Sequence, residues 1–466
     1  MLNPAAPHPG ERHLSSPPSP GPSPTKTFGL ASGVGLVIAN MVGAGVFLST
    51  GFMAQSLGPP HILLAWGIGA VLALCGAVAY AEVARLVPHS GGEYRFLSSL
   101  LHPSLGYLAG WGSLLIGFSA PIALDAVAAG AFAHAVNSSL NPRVVGAVLI
   151  VGLTAVHAMR LKVSARVQNA LVVLKVLLLT AFVLVGLTLG TVAWPNWMPP
   201  QPSPSPWPDL AGSLFFIAFA FSGWNAAVYA ADEFKAPERD VPRAMLLGCL
   251  AVGALYLVVN YLFVANLTPE QGTVVFHYDD FTSLKGQYEQ VTLGQAVMAA
   301  LLGPGAAKVM SGVMVLLFMS AMSAMMLVGP RVYAAMAKDG FLPAALEGRE
   351  GRPPAAAIVL QGALGLVLLL VHDVRTVLSN VGAIIVLFAA LTVAGLFRAA
   401  LTAKSPEQRP RLPALLAAGV YVVSAAWMFW KGLSRSPTLY LWVAGVALVA
   451  LAAWWATTLI RRRRTA

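Results

Sequence analysis

Residues 38–50 read IANMVGAGVFLST, an apolar stretch that carries Gly43, Ala44 and Gly45 together with Asn40 just before them. Glycine costs roughly 1 kcal/mol relative to alanine inside a helix, so two of them at the middle of a membrane-length segment need a reason. An unbroken helix over 29–55 would run about 40 Å, against a hydrocarbon core of about 30 Å. A break at the glycines removes the excess. Backbone freed by such a break cannot be satisfied by lipid, so it survives only where it lines a polar cavity or meets a ligand. The alternative reading is close helix packing through small residues.

A second interruption favours the break. Residues 210–234 include FFIAFAFSGWNAAVYAADEF, with Ser222, Gly223, Trp224 and Asn225 at the middle of the segment. If the first ten spans form two five-span halves, the two interrupted segments are corresponding members. Such pairs mark the midplane binding site of a transporter. No further internal repeat is readable. The helix N-terminus after the first break offers free N–H groups and suits a carboxylate. The C-terminal ends of the half-helices offer carbonyls and suit an ammonium. Together they would hold a zwitterion, a free α-amino acid, without a charged side chain.

Composition sets the class. The chain has 466 residues, 57% hydrophobic and only 10% charged, which predicts a polytopic membrane protein. Twelve spans are expected, near 29–55, 62–87, 105–135, 143–159, 165–190, 209–231, 243–265, 306–333, 355–371, 376–399, 412–430 and 438–460. With both termini cytoplasmic, 22 of the 29 Lys and Arg residues fall on inner segments and six on outer ones. That asymmetry obeys the positive-inside rule and argues against a nucleic-acid surface. Residues 1–25, rich in Pro and Ser, read as a disordered tail without a signal-peptide core. The basic run 461–466 reads as an anchor at the inner face. The Pro- and Trp-rich residues 191–208 and the segment 266–305 are expected outside, either capping a vestibule or merely connecting. No nucleotide-binding loop or metal cluster is present in the sequence, and no cofactor is expected. Cys75 and Cys249 lie within apolar runs and predict neither a disulfide framework nor a metal site.

Four stretches carry a family resemblance: GAGVF at 43–47, YAEVARLVPHSGGEYRFL at 80–97, FAFSGWNAAVYAADEFKAPERDVPRA at 219–244 and GPRVYAAMAKDGFLP at 329–343. They resemble the amino acid–polyamine–organocation superfamily of permeases, most closely its L-type amino acid transporter branch. The resemblance implies an all-α integral membrane fold of twelve transmembrane helices. It comprises a five-plus-five inverted repeat with helices 1 and 6 broken, spanning 26–190 and 209–400, and two extra helices over 411–460. It implies alternating access around a site between spans one and six. There, the N–H groups of Gly43, Ala44 and Gly45 would hold the substrate carboxylate. Met41, Phe219 and Ser222 would offer carbonyls to the amino group, with Val42, Ala220 and Gly223 in the same unwound turns. Phe219 would cover the substrate, and Trp224 and Asn225 would support the turn. Ala44 stands where many relatives have serine, and FMSAMSAMMLVG at 318–329 is richer in Met than the expected small, polar run.

Lys175 lies about 15–18 Å into span five, too deep to reach an interface. An ionisable residue at such depth is by default functional. In related permeases this lysine takes the place of the cation bound by sodium-coupled relatives of the same fold, which implies sodium-independent transport, by proton symport or by exchange. Ser320 and Ser323 are expected to face it. Asp125 either lines a path or sits near the outer surface, the second being the preferred reading. Glu82, Arg85, Glu93, Asp232 and Glu233 are expected at the inner ends, as ordinary solvated charges or, alternatively, as a salt-bridged inner gate.

The sequence thus predicts a secondary amino acid transporter of the plasma or inner membrane, and no enzyme. Its partners would be the lipid bilayer and a small amino acid, without nucleic acid. No disulfide-linked accessory subunit is expected, because the outer loops, including NSSLNP at 137–142, lack cysteine. The rival readings are an amine or polyamine transporter, and a membrane sensor or channel on the same fold. The amine reading calls for an acidic pocket, which the middles of spans one, six and eight do not supply.

Overall fold

The computed structural model describes residues 28–199, 202, 204–266, 293–349, 352–371 and 374–433, and eight scattered residues between 444 and 455. The tails 1–25 and 461–466, residues 267–292 and most of the expected span 438–460 lie outside the described residues.

The described chain is helical, with one isolated parallel bridge, Phe28 to Phe234. The first helices are α1 (Leu30–Met41), α2 (Ala44–Ala54), α3 (Pro59–Leu86), α4 (Gly92–Leu100) and α5 (Pro103–Gly112). A π-helical turn, Ser113–Phe118, joins α5 to α6 (Ser119–Val136). α7 (Pro142–Met159) and α8 (Leu161–Leu189) follow. Next come α9 (Pro206–Ala220), α10 (Ala226–Tyr229), α11 (Pro237–Asn266), α12 (Leu293–Leu302) and α13 (Pro304–Lys338). The last are α14 (Ala355–Val371), α15 (Val374–Thr402) and α16 (Leu412–Leu433). Proline opens many of them: Pro59, Pro103, Pro142, Pro206 and Pro304 stand in first turns. There the missing N–H costs nothing and the fixed φ is already helical.

Nine helices among the described residues are long and apolar enough to cross a membrane. Three of the twelve expected spans do not count among them, each for a stated reason. The sixth is divided into α9 and α10. The ninth, α14, is only 17 residues long. The twelfth is largely undescribed.

Burial sorts centre from rim. The segments Pro103–Val136, Pro304–Lys338 and Leu30–Ala54 are 78%, 72% and 65% buried, whereas Pro142–Met159 and Val163–Leu189 are each 28% buried. On α7, Val144, Val148 and Val151 are more than half exposed, and on α8 Val173, Leu177 and Leu184 are too. Their spacing draws one apolar stripe along each helix, a face suited to lipid rather than water. Spans one, three and eight therefore form the interior, with α11 against α1 and α3, and α6 against α13.

At one end of the bundle the chain closes on itself. Phe28 N–H donates to the Glu233 carbonyl at 3.1 Å, and Lys235 N–H to the Phe28 carbonyl at 2.9 Å. Beside this join, Arg331 binds Glu233 at 2.6 Å and Arg95 binds Asp339 at 2.7 Å. Glu82, expected at a solvated end, is buried; it pairs with Arg85 at 2.7 Å and accepts Arg411 N–H at 2.8 Å.

Candidate functional site between the two breaks

The first break falls at Val42 and Gly43. α1 ends with Met41; Val42 still donates to the Ile38 carbonyl at 3.0 Å but turns out to ψ 93. Gly43, at φ −132 and ψ −152, is the N-cap of α2 and has no side chain of its own to cap it. In the second break, α9 ends at Ala220 and five residues, 221–225, form turns before the single turn of α10. Gly223 has φ +103, a conformation that L side chains rarely adopt.

The glycines exist because the two breaks touch. A Cβ on Gly45 would stand 2.5 Å from the Ala220 Cα, and one on Gly223 would stand 2.8 Å from the Asn40 carbonyl carbon and 2.5 Å from its side-chain nitrogen. Backbone meets backbone there, and only glycine permits it. A cavity adjoins the contact, walled by Asn40, Ser222, Gly223, Trp224, Asn225 and Glu93. The π turn of span three also borders it, through Ser113 and Phe118. π turns recur at functional sites; this one gives no sequence signal beyond Gly112 just before it and Gly117 within it.

The poles of the broken helices are partly answered by the protein itself. Lys175 is 1% exposed. Its ammonium donates to the Ala39 carbonyl at 3.0 Å and to the Val42 carbonyl. Tyr256 of α11 donates to the Met41 carbonyl at 2.7 Å and is also 3.0 Å from the Ala220 carbonyl. The Phe219 carbonyl accepts Ser222 N–H at 2.9 Å. A carbonyl has two lone pairs, so Met41 and Phe219 keep acceptor capacity.

Ser323 does not bond Lys175. Its hydroxyl donates to Gln168 at 2.6 Å and lies 2.8 Å from His157 Nε2, while His157 Nδ1 lies 2.6 Å from Ser164. The Ser320 hydroxyl is buried and makes no hydrogen bond to the ammonium. Ser323 answers a histidine because His157, spaced far away in sequence, is completely buried beside it; a partner search confined to Lys175 misses it.

Two acids depart from their expected places. Glu93 is buried rather than solvated. It accepts from Asn225 at 2.6 Å, from Tyr80 at 3.0 Å and from Tyr229. Asn225 thereby ties the second break to α4, while Trp224 packs edge-on against Tyr80 at 4.6 Å between ring centres. Asp125 is 1% exposed, not at the outer surface. Its oxygens would lie 3.3 and 3.4 Å from a Cβ on Gly43. Both had a detectable signal: Glu93 follows Gly91 and Gly92, whose positive φ turns it inward, and Asp125 sits in an otherwise uncharged span.

Glu93 lies on α4, outside the membrane-length helices. Burial raises its carboxyl above the ordinary 4.5, against the lowering effect of hydrogen bonds, Tyr229's the largest. The folded chain therefore takes up this proton at a higher pH than the unfolded chain. Its contribution to stability is full below the unfolded value and is lost as pH rises through the folded one. Glu93→Gln is expected to remove that loss: melting temperatures of the two proteins, measured from about pH 4 upward, should diverge in the variant's favour. Parallel curves would show that Glu93 is not titrating.

A profile of the family described as Amino acid permease matches residues 28–456. Over 453 residues the chain is 25% identical to Large neutral amino acids transporter small subunit 2 of Mus musculus, covering 92% of this chain and 81% of that protein. It is 24% identical over 414 residues to b(0,+)-type amino acid transporter 1 of Mus musculus, covering 86% and 81%. Asc-type amino acid transporter 1 of the same organism is 25% identical over 447 residues, covering 91% and 79%. These relatives are transporters rather than enzymes, and both helix breaks lie inside the matched region. This protein belongs to the amino acid permease family.

Proposed function

We propose that this permease is a secondary active transporter of free amino acids, working by alternating access. It would have twelve spans in a five-plus-five inverted repeat with two further helices and both termini cytoplasmic. The observation that carries the reading is the meeting of two broken helices, Gly45 on Ala220 and Gly223 on Asn40, beside a cavity whose wall mixes Asn40, Ser222, Asn225 and Glu93 with apolar side chains. A helix N-terminus at Gly43 and carbonyls at Met41 and Phe219 suit the two ends of a zwitterion. The relatives' names, all of amino acid transporters, support the substrate class.

Lys175 supports sodium independence: its ammonium already uses the Ala39 and Val42 carbonyls, oxygens a bound sodium ion would need. The lack of cysteine in the outer segments supports function without a disulfide-linked partner.

An amine or polyamine substrate is the second reading, and it gains an observation. Spans one, six and eight lack acids at their middles, but α6 and α4 bring Asp125 and Glu93 to the breaks. A thermal-shift screen of the purified protein against the twenty amino acids and their decarboxylated amines decides between them. A ligand at about a hundred times its dissociation constant stabilises the folded state by about 2.7 kcal/mol. The expected result is stabilisation by an amino acid and not by its amine. Stabilisation by the amine alone overturns the assignment.

A further inference from the structure

Gly43 lies where three elements converge. It is the N-cap of α2 and has no side chain of its own with which to cap it. From α13, the Ala321 Cβ would be 3.4 Å from a Cβ placed on Gly43. From α6, both carboxylate oxygens of Asp125 reach the same spot at 3.3 and 3.4 Å. Asp125 is almost completely enclosed, so its charge is answered by protein groups rather than by bulk water. On the far side of the break Lys175 holds the α1 carbonyls, and the charges of Asp125 and Lys175 bear on one another.

The broken helix is thus already provided with both signs of charge: an ammonium on its carbonyl end and a carboxylate at its N–H end. A helix N-terminus favours an anion, and here the protein supplies one. We propose that Asp125 holds the anion seat at Gly43 in the empty protein, so that a substrate carboxylate must displace it to bind. Asp125 is then a specificity-determining residue. It sets a charge penalty on every carboxylate-bearing substrate, and only compounds whose other contacts exceed that penalty load.

This inference rests on the reading that the substrate is an amino acid. Asp125→Asn keeps the shape and one carbonyl acceptor but removes the competing charge. It is expected to lower the apparent dissociation constant of the amino acid at least about tenfold, the effect of roughly 1.4 kcal/mol of relieved repulsion, while leaving the decarboxylated amine no tighter. The measurement is a thermal-shift titration of the full-length protein, wild type and variant side by side, with the twenty amino acids and their amines as probes. Asp125→Ser, neutral and smaller, carries the same expectation where the asparagine variant does not fold. Unchanged or weakened amino acid binding in the neutral variants overturns the proposal; weakening would mean that Asp125 grips the ammonium instead. Wild-type protein that answers only to amines, or to no amino acid, sinks the amino acid reading and the proposal with it. That failure is visible without the variant.

Discussion

Lys175→Ala is expected to abolish uptake into proteoliposomes, by well over tenfold, in a protein that still assembles. The ammonium is enclosed and donates to the carbonyls of Ala39 and Val42. Alanine leaves both acceptors without that donor at the end of α1, and leaves the charge of Asp125 uncompensated. Removing one member of a buried charged set costs about 3–5 kcal/mol, most of it from the group left behind. That lowers the melting temperature, and it also releases the segment that positions Gly43. Methionine at 175 restores volume but not the hydrogen bonds, so it should recover part of the stability and none of the transport. Uptake of either variant within about twofold of wild type, after correction for the amount of folded protein, would remove Lys175 from the mechanism.

The second large effect is expected at the contact between the breaks. Gly223→Val demands a side chain at φ +103 and drives Cβ into the Asn40 backbone at 2.8–2.9 Å. Strain of about 1–3 kcal/mol from the backbone adds to overpacking of similar size. Gly45→Val meets the Ala220 Cα at 2.5 Å and is expected to separate the two segments without any φ strain. Both variants should lose transport. The controls are Gly152→Ala and Gly212→Ala, where an added Cβ meets nothing within 4 Å; helix propensity makes these neutral or slightly stabilising, by up to about 1 kcal/mol. Loss of uptake in the controls as well would show that glycine is needed for some reason other than this contact.

The spans were readable because lipid imposes a single rule, an apolar run of sufficient length, and α3, α8, α11 and α13 satisfy it plainly. The breaks were readable because glycine is anomalous in such runs. What the sequence concealed was pairing. Nothing in the order of residues joins Glu93 to Asn225, 132 positions away, or Tyr256 to Met41, 215 away. Of the two readings of Asp125, the outer-surface one fails: depth along a span does not show which neighbouring helix a side chain meets, and the carboxylate from α6 lies beside Gly43. Ser323, expected to face Lys175, bonds His157 and Gln168 instead. Local pattern carries the rods and their interruptions, and three-dimensional proximity carries the chemistry.

The join between Phe28 and Phe234 has a main-chain part, one amide and one carbonyl lent by Phe28 to the segment after α10, and a side-chain part, the two rings packed 5.7 Å apart between centres. The main-chain half of this clasp does not depend on side-chain identity, whereas the ring contact and the Arg331–Glu233 pair beside it do. Only a residue that lacks an N–H, proline at 28 or at 235, strikes a strand from the main-chain half directly. Any motion that swings the start of α1 away from this end must exchange both bonds for water and part the two rings.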